Sequence, residues 1–412
     1  MTAIRQRRPR LLAVSHRVPY PPDKGDRIRT YHLLRQLSEI GDISLATLAD
    51  EPVSEATRHE LNRICRRISI QPVGSLTRKF AMLGSAMVGR SLSEGAFANS
   101  ALRSTIAQWH REQPFDVAIC SASSVAPYLR RDGLERVPGF VDLMDCDSRK
   151  WVDFAEAAAV PKRWLYRFEA RRVQKLERDL ARWAAAMAVV SEAEASILDQ
   201  AVGQKGIATA IPNGVDLDYF APRDVREDLA CVFVGAMDYL PNVDAVTWFA
   251  DAVWPQVRER HPGAEFRIVG RKPSEAVQAL EGRPGIVVTG TVPDVRAHLA
   301  AAAVSVVPMR LSRGLQNKVL ESLSMSKATI VSPPALAALS AMPGRDVVRA
   351  ESVDDWVTGI CHLFLDFSRR RELGLNGRRF VEANHDWVSC LNPLTELIQT
   401  SIGRPTRMEA VA

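Results

Sequence analysis

Along the first half of the chain, short apolar runs alternate with stretches whose apolar residues recur every three or four positions. The alternation predicts strands over 10–18, 43–48, 67–71, 116–120, 140–144, 187–191 and 207–211, with helices between them. Ile28, Tyr31, Leu34 and Leu37 mark the first helix, with Asp26 as its expected N-cap. Further helices are predicted near 54–66, within 76–112, over 151–186 and over 192–202. Residues 221–230, APRDVREDLA, interrupt the pattern and read as a linker.

A second series then begins, with strands over 231–235, 265–270, 286–289, 304–308, 329–332 and 347–348. Its helices fall at 243–260, 274–281, 295–302 and 317–326, and then within 353–368, 369–383 and 387–400. Apolar strands separated by helices predict a parallel sheet covered on both faces. Two such series predict two doubly wound α/β domains in tandem. Ligands of these sheets sit beyond the carboxyl ends of the strands. Residues 21–26, 121–124 and 145–148 are therefore expected on the rim of one cleft.

Length and composition agree: 412 residues suffice for two cores, and 46% apolar with 25% charged residues is a globular balance. The longest apolar runs fall short of the ~20 residues that span a bilayer. The basic N-terminus lacks the apolar core of a secretory signal. Six cysteines, at 65, 120, 146, 231, 361 and 390, have no metal-ligand spacing. They read as core thiols in a reducing, cytoplasmic compartment. No pair among His16, His32 and His385 has metal spacing either, so no metal is expected. Trp248, Trp254 and Trp356 fall in helices and read as core.

The net charge of +6 lies wholly in residues 1–220, which carry 32 basic and 26 acidic residues; residues 221–412 carry 22 of each. Region 151–186 carries Lys162, Arg163, Arg167, Arg171, Arg172, Lys175, Arg178 and Arg182. It reads either as a solvated helix paired to Glu169, Glu177 and Asp179, or as a helix lying against anionic lipid head groups. The sequence leaves both open. A nucleic-acid partner is disfavoured, because the basic residues lack interleaved aromatics and the second half is neutral.

Residues 304–332, VSVVPMRLSRGLQNKVLESLSMSKATIVS, carry the densest candidate chemistry. A strand, a basic loop and a helix beginning near Asn317 present unpaired N–H groups and the positive helix end to an anion. Arg310, Arg313 and Lys318 add charge, and Gly314 lets the backbone bend round a ligand. Glu321, one turn in, could hold sugar hydroxyls. The stretch reads as a nucleotide or nucleotide-sugar site.

Val190-Ser191-Glu192 and Ile211-Pro212-Asn213-Gly214-Val215-Asp216 resemble the signatures of glycosyltransferase family 4. The likeness continues through 233–246 (FVGAMDYLPNVDAV), 268–274 (IVGRKPS), 288–295 (VTGTVPDV) and 313–332. More narrowly, 19–34, 141–151 and 314–321 resemble the sugar transferases of PEP-CTERM/exosortase exopolysaccharide loci. The resemblance implies a GT-B fold: two Rossmann-like domains, 1–215 for the acceptor and 216–385 for the donor, flanking a cleft. Residues 386–412 would form a helix crossing back to the first domain, and a tail. It implies a retaining transferase with a nucleotide-diphosphosugar donor, no cofactor, and a saccharide or lipid-linked saccharide acceptor in exopolysaccharide assembly; peripheral contact at the inner membrane face is a reading of the basic helical region, not of the resemblance. Glu321 matches the second glutamate of a family pair, expected on the ribose hydroxyls. Gly25 matches the glycine that approaches the donor phosphates.

Three departures accompany the likeness. Arg313 stands where the first glutamate of the pair is expected. Gly235-Ala236-Met237-Asp238-Tyr239-Leu240 lacks the family's Arg and Lys, leaving Arg271, Lys272, Arg310, Arg313 and Lys318 to meet the diphosphate. Ser121 and Ser123 replace a histidine, which makes Asp145 and Asp147 the candidates for the acceptor hydroxyl, or else helix caps. A non-catalytic binding protein and a nucleotide-sugar epimerase are the rival readings.

Overall fold

The structure is a computed structural model that describes residues 7–311 and 314–402. Arg313, residues 1–6 and the end of the tail lie outside the described residues. Contacts divide the chain into two compact units, one of residues 1–212 together with 391–412, the other of 213–390.

Unit 1 is built on a seven-stranded parallel sheet, β1 (Arg10–Ser15), β2 (Asp42–Ala49), β3 (Arg67–Pro72), β4 (Val117–Ser121), β5 (Gly139–Met144), β6 (Ala186–Val189) and β7 (Ala208–Ala210). Their spatial order is β3-β2-β1-β4-β5-β6-β7. Unit 2 has six parallel strands, β8 (Asp228–Val234), β9 (Glu265–Val269), β10 (Ile286–Gly290), β11 (Ala302–Val307), β12 (Thr329–Val331) and β13 (Val348–Arg349), in the order β10-β9-β8-β11-β12-β13. Both orders reverse direction next to the first strand of the unit, as doubly wound sheets do. The central strands are buried along their length, which is why they read as unbroken apolar runs.

Three local expectations are corrected. The predicted helix over 151–186 is two helices, Asp147–Ala157 and Lys162–Ala181. Proline disfavours helical geometry in the residue before it, so Val160-Pro161 is where the run breaks. Glu169 and Glu177 are not partners on a solvated helix face. Both are buried and accept backbone N–H groups from other helices: Glu169 from Leu92 (2.7 Å) and Ser93 (2.8 Å), and Glu177 from Ser148 (3.0 Å). Asp26 does not cap its helix. Helix Gly25–Ile40 begins before it, with Lys24 at the N-cap, and the Asp26 carboxylate turns to His16 and Arg17.

Helix Gly25–Ile40 is bound to the sheet by a buried ion pair. Arg29 Nε donates to both oxygens of Asp142 on β5 at 2.9 and 2.8 Å, and Nη1 donates to the Ile211 carbonyl at 2.7 Å. In unit 2, Trp254 and Trp356 are core as expected, while Trp248 is half-buried against Trp356. All six cysteines are buried and none is in a disulfide.

Candidate functional site

In unit 1, β1, β4 and β5 lie side by side, so their carboxyl ends assemble the predicted rim. His16, just past β1, meets the Ser121 carbonyl through Nδ1 at 3.2 Å and Asp26 Oδ2 through Nε2 at 3.1 Å. Burial pushes the Asp26 carboxyl up, but hydrogen bonds and charge from His16 and Arg17 outweigh it and hold the group well below the usual carboxylate range. Gly25 is the first residue of its helix, one position before Asp26.

Past β4 the chain turns through Ala122 (φ 88°) into the 3-10 helix Ser123–Arg130; past β5 it turns at Met144 (φ 68°). Two non-glycine residues in left-handed backbone on adjacent strand ends store strain, about 1–3 kcal/mol each. Asp147 opens the helix Asp147–Ala157, and its Oδ2 accepts from Ser123 Oγ at 2.7 Å. The cap position is Cys146, whose side chain makes no cap bond, so neither Asp145 nor Asp147 is the cap. Buried carboxylates serve that helix end instead: Glu194 accepts the Cys146 N–H at 2.9 Å and Glu177 the Ser148 N–H. Desolvation raises the Glu177 carboxyl to about 7, against the Ser148 bonds that lower it. These glutamates fix the turn that carries Asp145 and Asp147. Sequence spacing gave no sign of them, because their partners lie far away along the chain.

In unit 2, β8 is flanked by β9 and β11, and the site forms where these strands end. Gly235 follows β8 so closely packed that a Cβ there would meet Asn242 Nδ2 at 2.7 Å and Lys318 Nζ at 3.3 Å. Gly270, after β9, has φ +156°, and a Cβ there would stand 1.6 Å from the Gly235 carbonyl oxygen. Two backbones thus touch where only glycine fits. Arg271 and Lys272 follow at once, Lys272 in left-handed backbone, and the Arg271 carbonyl accepts the Met237 N–H at 2.9 Å.

Lys318 lies in the first turn of helix Asn317–Ser324, and its Nζ donates to Asn242 Oδ1 at 2.5 Å and sits 4.3 Å from the Phe233 ring centre. Asn317 Oδ1 accepts from Asn213 Nδ2 at 3.1 Å. Glu321 is one turn further along the same helix. Lys318 and Glu321 are half-buried. Desolvation lowers the ammonium and raises the carboxyl, each to about 7, and the charge of the partner opposes both shifts. Gly314 has φ +58°, the bend expected of the loop.

Arg310 departs from expectation. Its guanidinium is already engaged by Asp244, with Nε donating to Oδ2 at 3.0 Å and Nη2 to Oδ1, and it lies 5.8 Å from the Trp248 ring centre. Its charge is compensated, whereas Lys318, among the described residues, is held by Asn242 and the Phe233 ring. Asn242 and Asn213 bond the first turn of its helix. Each falls within a stretch that carries the family resemblance, the one signal that could have singled it out.

Residues 228–366, within unit 2, match the model of the family described as Glycosyl transferases group 1. An uncharacterized 44.6 kDa protein in the cps region of Klebsiella pneumoniae is 18% identical over 389 residues, covering 92% of this chain and 96% of that protein. Among solved structures, sucrose-phosphate synthase (tll1590) from Thermosynechococcus elongatus superposes with TM-score 0.69 at 15% identity, covering 95% of this chain and 98% of that one. The Anabaena Alr3699/HepE structure in complex with UDP-glucose has TM-score 0.66 at 12% identity, with coverage of 95% and 99%. The fold is GT-B, with two Rossmann-like parallel-sheet domains.

Proposed function

We propose that the protein is a retaining glycosyltransferase that moves a sugar from a nucleotide-diphosphosugar to a saccharide or lipid-linked saccharide, in exopolysaccharide assembly. The observation that carries the reading is the Lys318–Asn242 hydrogen bond at a helix N-terminus, with Glu321 on the same helix and Gly235 against both side chains. A desolvated ammonium and a helix N-terminus suit a diphosphate, which gains charge as its bond to the sugar breaks. A carboxylate one turn along suits ribose hydroxyls. The UDP-glucose complex of the structurally similar Anabaena protein and the group 1 family match support this donor class. The relative from the cps region of Klebsiella pneumoniae supports the polysaccharide context.

In the proposed reaction the bond from the anomeric carbon to the diphosphate breaks. A bond from that carbon to the acceptor oxygen forms on the same face, and the acceptor proton passes to the departing phosphate. In this reading Asp147, whose carboxylate accepts from Ser123, and Asp145 contact the acceptor hydroxyl.

The test is calorimetric binding of UDP-, GDP-, ADP- and TDP-sugars to the intact protein and to Glu321→Ala, followed by turnover with saccharide acceptors. Binding of one donor, weakened about 10-fold or more in the variant, is expected, because a hydrogen bond to a charged group contributes about 1.5–3 kcal/mol. No binding to the intact protein would refute the donor site. Arg313 in place of the first glutamate favours one rival, a non-catalytic binding protein, which binding without turnover would establish.

A further inference from the structure

Helix Ser75–Met87 contains no buried residue. One face, Ala81, Met82 and Ser85, lies on the turn at Gly95, where an added Cβ would meet Ala81 O at 2.5 Å and Ser85 Cβ at 2.6 Å. Leu76, Phe80, Leu83 and Met87 share the outward stripe, at helical spacing, and are 69%, 73%, 61% and 84% exposed. Surface helices ordinarily turn such a stripe inward. From Val73 to Ser93 the chain carries Arg78, Lys79 and Arg90 and no acidic residue.

The neighbouring helix has the same character. Glu169 joins helix Lys162–Ala181 to Leu92 and Ser93, and Arg172 donates to the Gly89 carbonyl. The opening turn of that helix exposes Trp164 and Leu165 beside Lys162, Arg163 and Arg167.

We propose that helix Ser75–Met87, with the start of helix Lys162–Ala181, docks unit 1 on an anionic lipid bilayer. The acyl region takes Leu76, Phe80, Leu83, Met87 and Trp164, and phosphate head groups meet the arginines and lysines. A second copy of the chain fits less well, because it would set Lys79 and Arg90 against like charges. No helix among the described residues is long and apolar enough to cross a membrane, so the attachment is one of lying on the surface. The proposal reaches beyond the transferase reading and does not depend on it.

The test is flotation of the full chain with phosphatidylcholine vesicles, with and without phosphatidylglycerol, beside the double variant Phe80→Ser/Leu83→Ser. Both side chains are exposed, so the variant should melt like the parent. The parent is expected to float with phosphatidylglycerol vesicles, less so in high salt, and the variant to bind at least about tenfold more weakly. A parent that stays in solution with both vesicles, or a variant that binds equally, overturns the proposal. So does sedimentation showing a lipid-free oligomer that the variant dissolves. None of the proposed donor-site residues is altered, so donor affinity should not change, and a failed flotation leaves the transferase reading standing.

Discussion

Replacing Asp142 by alanine should destabilise unit 1 more than any surface change. Arg29 is 0% exposed and Asp142 1%, and Arg29 Nε reaches both carboxylate oxygens within 2.9 Å. Removing one partner strands a buried charge, which costs about 3–5 kcal/mol. For a domain of this size each kcal/mol moves the melting temperature by about 2–4 °C, so Asp142→Ala should melt about 6–20 °C lower. The double variant Arg29→Met/Asp142→Leu removes both charges and fills the space. It still deprives the Ile211 carbonyl of the Nη1 donor, which costs about 1–3 kcal/mol. The double variant should therefore be more stable than Asp142→Ala alone. Scanning calorimetry of the parent, both single variants and the double variant measures the coupling. If the single effects simply add, or Asp142→Ala loses less than about 1 kcal/mol, the pair is not the buried tie described above.

Three further outcomes are expected. Donor affinity should peak near pH 7: Glu321 must be ionised to accept hydroxyls and Lys318 protonated to meet phosphate, and burial brings both to about 7. Calorimetric titration across pH should show Lys318→Met losing the alkaline limb and Glu321→Gln the acidic one; unchanged limbs would refute the assignment. Gly235→Ala should weaken donor binding about 10-fold or more while the protein stays folded. The new methyl group pushes Asn242 from Lys318 and breaks a charge-assisted bond, and donor titration of the variant checks it. The raised Glu177 pKa favours its protonated form in the fold, a contribution present below the unfolded value and lost as pH rises through about 7. Glu177→Gln should consequently gain stability relative to the parent between pH 5 and pH 8. Parallel urea midpoints at the two values would show that Glu177 does not titrate there.

Much of the strand succession could be read from the chain, because buried parallel strands are apolar at every position. Helix Glu192–Val202 and the start of helix Asn317–Ser324 fall where the pattern puts them. Pro161 separates helices Asp147–Ala157 and Lys162–Ala181, although helical spacing of apolar residues continues on either side of it. Arg310 and Lys318 look alike in sequence; only the fold shows that Asp244 neutralises one while Asn242 and Phe233 hold the other. Glu169 and Glu177 show the limit most clearly. Their helix is rich in charge, so they read as surface partners. In the fold they stand under the N-terminal turns of helices separated from them by 77 and 29 residues.

Unit 2 is one unbroken segment, whereas unit 1 recruits residues from 391 onward. Leu391, Leu394 and Ile398 are buried there, and Asn392 accepts from Gln36 Nε2 at 2.7 Å on helix Gly25–Ile40. During synthesis every residue of the second unit is therefore made before the last pieces of the first. Domains usually complete themselves in the order of their appearance. Here the earlier one waits, with an apolar face uncovered, for a segment that follows the whole of the later one.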